Sequence, residues 1–236
     1  MLSWLIETEV FQMPQLHKHL TLPAILNRDK VLPINLTDIL EKYDPEDFDI
    51  VITNVDYKTS EPKLDFQISV QGYNEEDNFV RSWTIETKHH RQSKIFLDSA
   101  SSLEISKDHP ILWKFSDMQS EIYFNGHCSD VDKLFISLYK IHRALFEDLI
   151  PFSDSIRSVD DLSWLMKTTS GLLAQGPRKL MTEYSGLLAQ FNLQYSVIGD
   201  RIPTYWDGEK HVNEVGNAKV LFIDNSYIIA DDFNFL

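Results

Sequence analysis

Cysteine is nearly absent. Cys128 is the one thiol in 236 residues, so no internal disulfide can form, and a reducing, cytoplasmic setting is the expectation. Glycine is scarce as well, at eight residues. Neither a Gly-x-Gly-x-x-Gly turn nor a Walker lysine loop can be written from them, which excludes the phosphate cradles built on such loops. No serine sits in a Gly-x-Ser-x-Gly elbow, so α/β-hydrolase chemistry has no nucleophile pattern here. Long hydrophobic runs are missing too: none approaches the roughly 18 residues that cross a bilayer. Met1 to Pro14 contains Glu7 and Glu9 but no Lys or Arg, so no secretory leader is expected. Positive charge is the last deficit. Against 36 Asp and Glu stand 22 Lys and Arg, a formal charge of −14. The first 120 residues hold 20 acids and 12 bases and the rest 16 and 10, so the imbalance is spread over the chain. Binding to nucleic acid or to an anionic membrane draws on clustered Lys and Arg and is not expected; a macromolecular partner should be a basic protein.

What is present suffices for a packed core. With 43% hydrophobic and 12% aromatic residues, a chain of this length can bury roughly 70–75% of its unfolded surface without a metal or disulfide staple. The texture changes along it in four stages. Residues 1–47 read as an irregular N-terminal arm, interrupted by Pro14, Pro23, Pro33 and Pro45, with a short helix around Leu36–Tyr43. Residues 48–124 read as antiparallel strands. The clearest is Leu64–Gln71, whose strict alternation puts Leu64, Phe66, Ile68 and Val70 on one face. Trp83 and Ile85 form the apolar side of a partner strand at Val80–Lys88, and further strands are expected at Phe48–Lys58, Ile111–Phe115 and Glu121–Phe124. Residues 125–192 read as helices at 130–149, 158–175 and 177–191. Ser129 or Asp130 can cap the first, and Ser158-Val159-Asp160-Asp161 resembles a capping box for the second. The hexapeptide Ser-Gly-Leu-Leu-Ala-Gln occurs twice, at 170–175 and 185–190, and two copies are too few for a solenoid. Residues 193–236 return to strands. Asp224-Asn225-Ser226 joins Lys219–Ile223 to Tyr227–Ala230 in a hairpin whose continuous apolar runs predict burial on both faces. The expected fold class is α+β in one domain, 1–236: an antiparallel sheet from the N-terminal half, packed by three helices, with a C-terminal β-hairpin.

Residues able to do chemistry are few. Asp65 on one strand with Glu86-Thr87-Lys88 on the next has the arrangement of metal-dependent nucleases, in which two carboxylates hold Mg²⁺ and a lysine helps to activate water. Aligning Val70 with Trp83 places Asp65 opposite Lys88, and an exposed cross-strand ion pair explains the same residues without catalysis. The segment Glu61-Pro62-Lys63 lacks the Pro-Asp of that motif, and the acidic charge repels a polyanion. His127-Cys128 beside Asp130 could give a thiolate at a helix start, but a small Cys tucked beneath the helix is the commoner outcome. His89-His90 and His17-x-His19 lack the spacing of a zinc set, so no metal or cofactor is expected. His142, at the edge of an apolar stripe, reads as a hydrogen-bonded core residue. Tyr205 and Trp206, beside a turn in the segment Arg201–Gly208, have the composition of an interface anchor or a pocket rim, although loop aromatics folded back onto the core are the commoner outcome.

Three functions follow. The first is an acidic, non-enzymatic interaction protein, such as an inhibitor or immunity-type protein, with Tyr205 and Trp206 at the contact. The second is a metal-dependent hydrolase or nuclease using Asp65, Glu86 and Lys88. The third is a small-ligand module around Tyr205 and Trp206. Oligomeric state has no sequence signal.

Overall fold

The computed structural model describes residues 32–72, 78–157, 167–206, 209–214 and 216–236. The expected arm before Leu32, with His17 and His19, and the capping segment Ser158–Asp161 lie outside these residues.

Helix α1 (Ile34–Lys42) buries Leu36 and Ile39. Three strands follow: β1 (Phe48–Asp56), β2 (Lys63–Val70) and β3 (Phe79–Lys88). Short strands β4 (Gln92–Lys94), β5 (Ser99–Ala100) and β6 (Leu103–Ser106) come next. A 3₁₀ turn at Pro110–Leu112 runs into α2 (Trp113–Ser116), and β7 (Gln119–Asn125) leads to the long helix α3 (Val131–Phe146). Then come β8 (Ser170–Pro177), α4 (Arg178–Leu188), β9 (Gln194–Arg201), β10 (Thr204–Trp206), β11 (His211–Asn213), β12 (Lys219–Ile223), β13 (Ser226–Ala230) and β14 (Asp232–Phe235). The fold is mixed α+β and mostly sheet.

The alternating residues of β2 explain the largest layer. Leu64, Phe66, Ile68 and Val70 are all buried, as are Trp83 and Ile85 of β3. They belong to a five-stranded sheet of order β14-β3-β2-β1-β5. Its apolar face shares one core with Leu221, Ile223, Ile228 and Ala230 of the C-terminal hairpin. That hairpin, β12 with β13, fills the two middle places of a four-stranded sheet, β4-β13-β12-β6. Asp224, at φ 45°, makes the turn. The opposite face of the hairpin, with Val220, Tyr227 and Ile229, packs on Ile111 and Leu112. Two buried faces account for the unbroken apolar runs of both strands.

Four expectations need correction. First, among the described residues the N-terminal sheet does not carry the expected three-helix cover. That sheet packs on another sheet, and α3 and α4 instead cover a three-stranded sheet of order β8-β7-β9, through Ile122, Phe124, Leu173, Ala174, Leu134, Leu138, Leu180 and Tyr184. Second, residues 170–175 of the expected helix 158–175 are strand. Ser-Gly-Leu-Leu-Ala-Gln is extended at 170–175 and helical from Ser185. The first copy pairs with β7 with Gly171 at φ 159°, whereas the second follows Pro177, an N-terminal start that α4 uses. Third, Ile111–Phe115 is helical because Pro110 sits at the first helical position and the His109 ring accepts a hydrogen bond from Ile111 N. Fourth, the β2–β3 register differs by four residues: Val70 faces Phe79, Asp65 faces Thr84, Lys63 faces Glu86, and Lys88 faces Asp232 of β14. An even displacement keeps each side chain on its expected face, so the burial pattern survives while the pairs change.

The helix ends show their causes. The Asp130 carboxylate accepts from Lys133 N at 2.9 Å and caps α3. Asp117 reaches across from the end of α2 to accept from Lys179 N at 2.6 Å in the first turn of α4.

Candidate functional site

The polar face of β2 and β3 carries Asp65, Glu86 and Lys88. Asp65 accepts from Thr84 Oγ1 at 2.6 Å and from Asn54 Nδ2 at 3.0 Å. These hydrogen bonds hold its carboxyl below the usual range. Glu86 pairs directly across with Lys63, whose hydrogen bond and charge lower the Glu86 pKa. Asp65 and Glu86 are therefore diagonal neighbours on one face, each with its own donor. Lys88 lies four residues along β3 from the partner of Asp65, about 13 Å at strand rise. Among the described residues no group of three or more His, Cys, Asp or Glu could hold a metal ion. We expect the Asp65→Ala/Glu86→Ala/Lys88→Ala variant to keep the function of the wild type, and the wild type to show no Mg²⁺- or Mn²⁺-dependent cleavage of DNA or RNA. Cleavage abolished by Glu86→Ala alone would contradict this.

A denser cluster lies where β3 ends. The chain turns at His89, which takes φ 52°, and both oxygens of Glu61 accept main-chain N–H groups across that turn, from His89 at 2.9 Å and His90 at 3.3 Å. His89 Nδ1 lies 2.9 Å from Asp231 Oδ2, with half of the ring exposed. Arg91 follows, and its side chain is 4% exposed. Its Nε and Nη2 donate to the two oxygens of Glu214 at 2.7 and 3.1 Å, a bidentate fork. Nη2 also donates to Asp231 at 3.2 Å, and Nη1 to the His89 carbonyl at 2.8 Å. The guanidinium carbon sits 3.9 Å from the centre of the Tyr205 ring. Burial opposes the charge on Arg91, but the Glu214 fork and Asp231 outweigh it and raise its pKa above the ordinary value.

This network anchors the two-stranded β10–β11 hairpin. Glu214 leaves β11 and is 2% exposed along its side chain; its N–H donates to the Pro203 carbonyl at 2.8 Å. Adjacent residues on a strand point to opposite faces, so the hairpin separates the two predicted anchors. Tyr205 and its register partner Val212 are half-buried on the side Arg91 covers. Trp206 is 58% exposed and meets the His211 ring edge-to-face at 5.3 Å on the other side. The structure thus gives Tyr205 an internal partner and leaves Trp206 presented to solvent.

Cys128 is buried just before the α3 cap, and burial pushes its thiol pKa up, away from thiolate chemistry. His142 is buried between α3 and α4. Its Nε2 donates to the Ile150 carbonyl at 2.9 Å, and its Nδ1 meets the Tyr184 hydroxyl at 2.9 Å. Burial lowers the His142 pKa below its ordinary 6.5 and also lowers those of His90 and His109. A folded pKa below the unfolded one gives stability that is complete above about 6.5 and is lost as pH falls through the folded value. The melting temperature should hold steady above pH 7 and drop below 6.5, with a smaller slope in His142→Gln. An unchanged slope in that variant would remove His142 as a source.

Arg91, Glu214, Asp231 and Glu61 were not legible as a cluster. Arg91 and Glu214 are 123 positions apart, and no periodic pattern links them. The nearest sequence signal was the lone Arg after His89-His90. Compared with known protein families, characterised proteins and solved structures, the chain gives no match.

Proposed function

We propose that this chain is a soluble, acidic, non-enzymatic interaction protein that engages a basic partner protein, in the manner of an inhibitor or immunity-type protein, with Trp206 as its apolar anchor. The observation that carries this reading is the β10–β11 hairpin. One side is held by a buried, bidentate Arg91–Glu214 pair, and the other offers a large aromatic ring at 58% exposure. A large aromatic on the exposed face of a hairpin whose other side is held in the protein is what a contact residue needs, since it offers apolar area for the partner to bury. The formal charge of −14 supplies the complementary field for a basic surface.

The two other readings have weaker support. The carboxylates of Asp65 and Glu86 already accept from protein donors, which favours structural pairing over a hydrolase centre. Two clefts, of about 310 Å³ beside Arg81 and Trp83 and about 610 Å³ beside Val70 and Phe79, are lined by residues other than Tyr205 and Trp206. A small-ligand module at the hairpin gains nothing from them.

Capture on the immobilised full chain from a lysate of the native host tests the proposal. Proteins retained at low salt should be basic, should elute with salt and should be lost from a Trp206→Ala matrix. A retained set that is neutral or acidic and indifferent to Trp206→Ala would overturn it.

A further inference from the structure

We propose that the outer edge of β9 is a docking edge to which a basic partner adds an extended strand. The inference rests on the reading of the chain as a binder of a basic protein and adds where, and in what conformation, that partner is held.

Edge strands expose unpaired main-chain groups, and proteins normally blunt them by shortness, by Lys or Pro, by bulges or by a cover. Most edges of this molecule are blunted. The terminal strands β4, β5, β6 and β14 have three, two, four and four residues. The outer side of β8 is occupied by Ser155–Arg157, through Gln175 N to Ser155 O at 2.9 Å and Arg157 N to Leu173 O at 3.0 Å. Strand β9 differs. It has eight residues, and β7 is its one strand partner; among the described residues no main-chain group bonds its other side. Its sequence, Gln194-Tyr195-Ser196-Val197-Ile198-Gly199-Asp200-Arg201, contains neither Lys nor Pro. The irregularity in its pairing lies beyond Ile198, where Gly199 takes φ 86°. From Gln194 to Ile198 the edge is regular, and among the described residues no main-chain group covers it.

The same stretch of chain carries exposed apolar side chains. Tyr195, Ile198, Ile202 and Trp206 are 43%, 48%, 53% and 58% exposed. The edge therefore runs directly into the hairpin that presents Trp206. A row of alternating N–H and C=O groups selects an extended, proline-free strand and rejects a helix, and Tyr195 and Ile198, three residues apart and so on opposite faces of β9, offer the guest one apolar contact on each side. Charge selects the source. A second copy of this chain would bring another −14 to the interface, whereas a basic strand is attracted. The charged end of β9 does not oppose it, since Asp200 is bonded to Ser120 and Arg178, and Arg201 to Glu121.

The experiment pans a phage-displayed library of random peptides of about ten residues, the upper length of a typical strand, against the full chain. The enriched peptides should be rich in Lys and Arg and free of Pro. Bound to the unaltered chain, they should slow amide exchange at alternate residues of 194–198 by at least about tenfold. Ser196→Pro, placed at this exposed edge, should abolish capture. Basic peptides that leave the β9 amides unprotected and bind Ser196→Pro would overturn the edge while sparing the acidic-binder reading. Neutral or acidic peptides that do protect β9 would overturn the basic occupant. A dimer of the free chain that Ser196→Pro converts to monomer would assign the edge to a second copy and overturn the proposal, as would a library with no enriched peptide.

Discussion

Phe66→Ala should destabilise the protein by about 3–5 kcal/mol, a large part of the total stability of an ordinary domain. Phe66 is fully buried at the centre of β2, in the core that the five-stranded sheet shares with the C-terminal hairpin. Its ring stacks on Trp83 of the neighbouring strand, with centroids 5.6 Å apart and planes 15° from parallel. Truncation removes this stack and leaves a cavity between two sheets that close-packed neighbours can only partly fill. Urea unfolding with the slope held fixed measures the loss. Val51, on the opposite face of β1 and 38% exposed, is the control, and its replacement by Thr should change stability by less than about 0.5 kcal/mol. A Phe66→Ala loss below about 1 kcal/mol would mean that Phe66 does not sit in a close-packed core.

Arg91→Ala is the second large effect, expected at about 3–5 kcal/mol, because breaking a buried pair from one side strands the other charge. Glu214 would keep its main-chain bond to Pro203 but lose both donors to a carboxylate that is 2% exposed along its side chain. Asp231 would lose one donor, and Tyr205 the cation on its ring. The Arg91→Met/Glu214→Leu double variant should recover most of that loss, since apolar residues of similar volume need no partner. A single-variant cost near zero would show that the fork contributes nothing to holding the hairpin. The single variant should also release a bound partner faster, because Trp206 would no longer sit on a fixed support.

How much of this was legible follows from the range of the interactions. Alternation is local, so the buried face of Leu64, Phe66, Ile68 and Val70 could be read directly. The register was not local: a four-residue displacement preserves every face and changes every pair, and the positioning of β14 beside β3 depends on residues far along the chain. The two copies of Ser-Gly-Leu-Leu-Ala-Gln mark the limit of propensity, since one sequence is strand beside β7 and helix after Pro177. Helical periodicity in Leu172 and Leu173 gave way to tertiary pairing. Residues 219–230 succeeded for the opposite reason, because turn chemistry and continuous apolar runs pointed the same way. Of the candidate site, Trp206 was visible as an aromatic beside a turn, and its separation from Tyr205 followed once β10 was known to be a strand. The supporting Arg91–Glu214 pair joins two distant loops and had no signature.

The most direct test of the central claim is stopped-flow association with the captured partner as salt is raised. The Debye length falls from about 10 Å near 0.1 M salt to about 3 Å at 1 M. If the field of a −14 chain draws the partner in and Trp206 holds it, association should slow severalfold between about 50 and 500 mM NaCl while dissociation barely changes. Trp206→Ala should do the reverse. Association that is independent of salt, together with a Trp206→Ala complex that dissociates like wild type, would contradict the account.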